Sequence, residues 1–340
     1  MRYIVWVWIL PATPIILFGA ALLGVALWKR RQSRLANTPT LEYDQLVRLG
    51  KVTAFFRFLG AAAGLIVVSV LFVMDRTWLL TPSTSAELND LRLSIRWILP
   101  AVLGSLIIIC ATIGELLMFN HARQPGFAST EQRRITTWLS WPIIIGIVVA
   151  FGAFGFLATT LLTLTHPSRR GLRLDFYLDG RHTMTVSWPA FPDWHAAIPL
   201  ILATIVALIC AITGILVVAR RPRNGADPLV AAWDDILRRR SLRGLGATFL
   251  AVLAANVAIV GSTLARQAPH NLVDCDGKGM AGCGVPHPDI GWYASPQAAP
   301  LLWAVSITGL VLALFSAGIV VRDTIPVRKP NLADLPKVSQ

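Results

Sequence analysis

The chain has 340 residues, of which 55 % are hydrophobic and 14 % charged, against roughly 25 % charged in soluble domains. With a mean hydropathy of +0.61 and apolar runs of about twenty residues or more, it is not a soluble globular enzyme, a disordered chain, a secreted disulfide scaffold or a coiled coil. The formal net charge of +13 reads as an attraction to anionic lipid headgroups, with the bilayer as the main partner and no nucleic acid expected.

Seven runs are long and apolar enough to cross roughly 30 Å of hydrocarbon at about 1.5 Å per residue. They fall at about 4–28, 53–74, 98–119, 142–165, 197–219, 244–265 and 300–321. Helix is the state expected for each, because hydrocarbon cannot satisfy an open backbone. The first run ends in Trp28-Lys29-Arg30-Arg31, a stop-transfer pattern, and it is read as an anchor instead of a cleaved signal. With the N-terminus outside, the inner pieces 29–52, 120–141, 220–243 and 322–340 carry 20 of the 31 Lys and Arg and 8 of the 18 acids. The inner excess is then +12, which predicts N-out, C-in in a plasma membrane by the positive-inside rule. The expected fold class is an all-α membrane protein of seven spans, one integral domain, with a small extracytoplasmic hairpin and loop subdomain.

The connecting segments add detail in chain order. Thr84-x-x-Glu87 is a capping box before an outer amphipathic turn that enters the third span at Pro100, and Ser129-x-x-Gln132 repeats the device on the inner side. The outer loop 166–196 alternates apolar residues around Asp179-Gly180, which predicts a β-hairpin over about 172–178 and 181–188. A lone hairpin is marginal in water, so Trp188, Trp194 and Trp292 are expected to supply its packing. On the inner side, Asp227-Pro228 opens an amphipathic helix over 226–242, acidic early and basic late. Its Trp233, Asp234, Asp235 and Arg238 are candidates for docking a cytoplasmic subunit or the leaflet, the plainer alternative being a helix packed on its own bundle. The outer loop 266–299 holds Cys275 and Cys283 in a glycine-rich stretch; a structural disulfide is expected there, contributing roughly 2–3 kcal/mol.

Tyr43-Asp44-Gln45-Leu46-Val47-Arg48 matches Trp233-Asp234-Asp235-Ile236-Leu237-Arg238 in residue type at an offset of 190. The neighbouring spans keep that offset, which marks spans 1–3 and 5–7 as candidate parallel repeats around a fourth, linking span. The stretch WDDILRRRSLRGLGA, an acidic pair and then basic residues opening a span, resembles uncharacterised actinobacterial polytopic membrane proteins. That resemblance implies a multi-pass layout and no known activity, and no functional residue is carried over from it.

Ionisable groups at bilayer depth are functional candidates by default. Arg57 in the second span and Glu115 in the third lie at similar depth, which predicts an intramembrane ion pair. Structural pairing is the plainer reading of it, and gating or proton coupling the sharper one. Asn256 is a lesser candidate for an interhelical hydrogen bond, and Gly60-x-x-x-Gly64 for close helix packing. Five of the six His fall on the outer side. An outer cluster of His182, His270 and His287 is the weakest candidate, because no metal-ligand spacing accompanies it, and neither a metal nor another cofactor is expected. No P-loop, G-x-S-x-G or HEXXH occurs in the sequence. Three functions follow in order of expectation: a non-enzymatic subunit or accessory of a transport or envelope assembly, a stand-alone small-solute transporter of 3+1+3 helices, and a membrane enzyme with an outer-face His/Asp site.

Overall fold

The computed structural model describes residues 43–79, 86–121, 140–164, 173–178, 181–187, 194–221, 228–267, 292 and 297–324. The expected first span, 4–28, the Cys275 and Cys283 loop, His270 and His287 lie outside the described residues. Six helices are present among those described: α1 (Tyr43–Leu79), α2 (Ala86–His121), α3 (Trp141–Leu164), α4 (Trp194–Arg220), α5 (Pro228–Gln267) and α6 (Ala298–Thr324). Each contains a stretch long and apolar enough to cross a membrane: Gly50–Leu71, Trp97–Leu117, Trp141–Thr163, Ala197–Arg220, Trp233–Arg266 and Ala298–Asp323.

α1, α2 and α5 are longer than a bilayer crossing needs, with 37, 36 and 40 residues. The amphipathic segment expected as a separate inner helix over 226–242 is continuous with its span in α5, which has 40 residues and is therefore about 60 Å long. No proline interrupts residues 229–267, so nothing in that stretch removes a backbone donor and forces a break. α1 likewise starts at Tyr43, and α2 begins at Ala86 and runs on through Pro100. The expected outer turn is thus the first part of α2.

α5 is the hub: 78 % of its span is buried, against 22 % for α1 and 17 % for α6. It packs on α6 most extensively and also on α3, α2 and α4, while α2 packs on α1 and α4. The core is filled by Ile98 and Ile108 of α2, Leu157 and Leu161 of α3, Leu200 of α4, and Leu242 and Leu253 of α5. α1 and α2 approach almost backbone to backbone. A Cβ at Gly60 would stand 2.8 Å from Cys110 Cβ and 3.0 Å from Ile107 Cα, so the small residue is what lets these helices meet. Gly309 does the same for α6, where a Cβ would come within 2.8 Å of the Ala254 carbonyl oxygen.

Between α3 and α4, β1 (Arg173–Leu178) and β2 (Arg181–Ser187) pair antiparallel, with Leu174 opposite Val186 and Phe176 opposite Met184. The register then shifts between Phe176 and Tyr177, so that Tyr177 faces His182 and Thr183 is the extra residue of a bulge. Trp292, expected to pack on this hairpin, sits against Phe156 of α3, with ring centroids 5.1 Å apart.

Candidate functional site: a buried charge clasp

The antiparallel order of the helices brings the start of α1, the end of α2, the end of α4, the start of α5 and the end of α6 to one end of the bundle. Six buried ionisable side chains meet there: Arg57, Glu115, Arg221, Asp234, Arg238 and Asp323. Three are cations and three are anions, so the group is neutral as a whole.

Glu115 of α2 is its centre. One carboxylate oxygen, Oε1, accepts from Arg57 Nη2 at 3.1 Å and from the Ser241 hydroxyl at 2.5 Å. The other, Oε2, accepts from Arg221 Nη1 at 2.9 Å. Arg57 also donates to Ser241 Oγ at 2.5 Å and to the Asp323 carbonyl oxygen at 3.2 Å, so this one guanidinium ties α1 to α2, α5 and α6. Ser241 lies within 2.9 Å of the Leu237 carbonyl as well. Its single proton goes preferentially to the carboxylate, since a hydrogen bond to an ionised acceptor is roughly twice as strong.

Arg221, one residue past α4, bridges Glu115 to Asp234 of α5. Asp234 Oδ2 then accepts from Arg238 Nε at 2.9 Å, one helical turn on. Asp323, near the end of α6, takes a two-pronged grip from Arg243, with Nε at 2.8 Å from Oδ2 and Nη2 at 2.5 Å from Oδ1, while Arg240 lies 3.7 Å away. The chain of contacts thus links α1, α2, α4, α5 and α6. Taking charges this far from water is expensive unless each is paired and hydrogen-bonded, and the alternation of sign meets that condition.

The structure brings Arg57 and Glu115 together. It turns Trp233, Asp234 and Arg238 into the bundle, where they are 4 %, 0 % and 1 % exposed. There Asp234 pairs with Arg221 and Arg238, and the Trp233 indole is buried beside them. Asp235 is half-buried. His182 lies in β2, and no group of three metal-ligating side chains occurs among the described residues searched. Sequence reasoning missed Arg221, Ser241 and Asp323. Arg221 and Asp323 sit at span boundaries and count as loop charges when tallied for orientation, and a lone serine carries no signal.

Deeper in the bundle, Asn256 of α5 donates to Thr204 Oγ1 of α4 at 2.9 Å, and the Thr204 hydroxyl donates in turn to the Leu200 carbonyl at 2.8 Å. On α6, the Ser306 hydroxyl donates to the Ala258 carbonyl of α5 at 2.7 Å. Comparison with protein-family models, with curated proteins and with solved structures finds no match to this chain.

Proposed function

We propose that this chain is a seven-span plasma-membrane protein, N-terminus outside and C-terminus in the cytoplasm, that serves as a non-enzymatic subunit of a membrane transport or envelope assembly. The observation that carries this reading is the clasp. Five of the six buried charged residues pair with one another, and Asp323 joins them through its carbonyl oxygen, which accepts from Arg57, while its carboxylate is held by Arg243, so that five helices are connected. Groups arranged this way fasten helices, and the outward faces of α1 and α6 are left to lipid or to neighbouring subunits. The test is affinity purification from native membranes in mild detergent, with mass spectrometry of stoichiometric partners. Co-purifying envelope or transport components support the reading, and recovery of the chain alone counts against it. Orientation is checked separately by thiol labelling from outside, which should reach a cysteine placed at Gly180 and miss one placed at Asn224.

A second reading, a transporter of two three-helix halves, is favoured by one specific pattern. The sequence spacing Arg221-x12-Asp234-x3-Arg238 recurs as Arg31-x12-Asp44-x3-Arg48 at the same offset of 190 that relates the two hexapeptides. Moreover, Glu115 accepts hydrogen bonds from Ser241 of α5 and from Arg221, both across the boundary between the two halves. In this reading the clasp is a gate. Glu115→Gln should then admit a membrane-impermeant thiol reagent to a cysteine placed at Thr112, one turn deeper, in a background lacking Cys110 and Cys210. In the subunit reading that position stays unlabelled and only the melting temperature falls.

A further inference from the structure

The first part of α5 has two charged faces: one is buried in the clasp, and the other touches it only at Asp323. Trp233, Asp234, Leu237, Arg238 and Ser241 point inward and are buried. Ile236, Arg239, Arg240 and Arg243 follow the i, i+3, i+4, i+7 spacing of a single helical face, and together they line an open pocket of about 270 Å³. Drug-sized ligand sites begin at roughly 300 Å³, so this pocket suits a small anionic group better than a bulky substrate.

Its charges do not cancel. Asp323 faces both Arg240 and Arg243, and Asp235 stands one turn before Arg239. Two carboxylates are thus set against three guanidiniums, with the exposed Arg322 beside Asp323 adding a fourth. Arg240 is held in place by donating from Nη2 to the Arg322 carbonyl at 3.1 Å, and Arg243 by its grip on Asp323. These guanidiniums are therefore positioned before any ligand arrives. The planar fork of Arg matches a phosphate with two parallel bonds. The pocket also lies where the span of α6 ends, at Asp323, which is the depth of a headgroup, and Ile236 gives it an apolar side.

We propose that Ile236, Arg239, Arg240 and Arg243 form a binding site for the phosphate of an anionic phospholipid in the leaflet at the clasp end of the bundle. The site meets the clasp only at Asp323, which Arg240 and Arg243 face, and it does not depend on whether the chain is a subunit or a transporter.

The full chain, purified in mild detergent, is titrated with phosphatidic acid or phosphatidylcholine and read by native mass spectrometry, with inorganic phosphate as competitor. Wild type is expected to hold phosphatidic acid about tenfold more tightly than phosphatidylcholine, since one charge-assisted bond is worth roughly that factor. Arg239→Gln, at an exposed position of α5, should lose most of that preference, and Arg239→Gln/Arg240→Gln all of it. Arg239→Lys should keep part. A lipid adduct that survives excess inorganic phosphate identifies the lipid as the source. Displacement by phosphate, with phosphate raising the melting temperature of wild type but not of the double variant, identifies a free phosphate at the same site and overturns the lipid assignment. Equal retention of the two lipids by wild type, or a preference unchanged in both variants while their melting temperatures stay normal, overturns the site itself.

Discussion

Replacing Glu115 with Gln keeps the shape of the side chain and removes its charge, which isolates what the clasp contributes. Glu115 accepts from Arg57 at 3.1 Å, from Arg221 at 2.9 Å and from Ser241 at 2.5 Å. The amide presents one acceptor oxygen and an NH₂ group, so one of the two arginines meets a donor where it had an acceptor. That arginine is left buried without its counter-charge, an event that typically destabilises by about 3–5 kcal/mol. At roughly 2–3 °C per kcal/mol for a chain of this size, the expected fall in melting temperature is about 6–15 °C. The assay is thermal unfolding of the purified chain in one detergent, wild type beside variant. Arg221→Gln, alone and combined with Glu115→Gln, completes a cycle in which the double variant should be less damaged than the sum of the singles, by about 1–3 kcal/mol. A Glu115→Gln variant that melts within about 1 °C of wild type, or a coupling near zero, would refute the reasoning that the buried charges hold the bundle.

Asp323→Asn removes the acid that faces Arg240 and Arg243, but Arg243 is 34 % exposed, so the loss should be nearer 1 kcal/mol and should shrink in 1 M salt, whereas the Glu115→Gln loss should not; melting curves at two salt concentrations separate them. Gly60→Leu drives a side chain into Cys110 and the α2 backbone and should destabilise by about 1–3 kcal/mol in the same assay. Gly152→Ala meets nothing within 4 Å and should be neutral or stabilising by up to about 1 kcal/mol, from helix propensity alone. Thr204→Val removes the acceptor of Asn256 and should cost only about 0.6 kcal/mol, the ordinary worth of a hydrogen bond between membrane helices.

What could be read from the sequence was set by periodicity and by charge at depth. Apolar runs locate spans because the bilayer demands length, and the six described spans lie close to the expected positions except that of α5, which extends back to Trp233. That extension was illegible for a physical reason: Asp234, Asp235 and Arg238 lower the local hydropathy, and a hydropathy reading cannot distinguish charges that face water from charges that cancel inside a bundle. The same limit hid half of the clasp. Arg57 and Glu115 stand out because apolar residues surround them, while Arg221 and Asp323 sit beside other charges at the ends of α4 and α6. Arg57 and Glu115 were legible as a pair, whereas Asp234 and Arg238 stood out only as members of an amphipathic helix whose setting pointed outward. Trp233 decides the matter in the structure, since burying the indole carries the acid beside it into the bundle as well.

The clasp also bears on how the proposed orientation is encoded. Within the inner pieces, Arg221 and Arg238 are offset by Asp234 and Asp323, and within the spans Arg57 is offset by Glu115. Removing all six from the count leaves the inner excess at +12, and removing Arg243, the partner of Asp323, with them leaves +11, so the clasp contributes little to the basic bias that the positive-inside rule reads. Fastening and orienting are therefore assigned to different residues and can be perturbed separately. Glu115→Gln should lower the melting temperature and leave the labelling at Gly180 and Asn224 unchanged. Neutralising the cations Lys29, Arg30 and Arg31 together should produce a fraction of inverted molecules in the labelling assay with little change in the melting of the rest. If Glu115→Gln inverted the labelling, the charges at the clasp would be acting during insertion, and their assignment as a fastening of the finished bundle would fall.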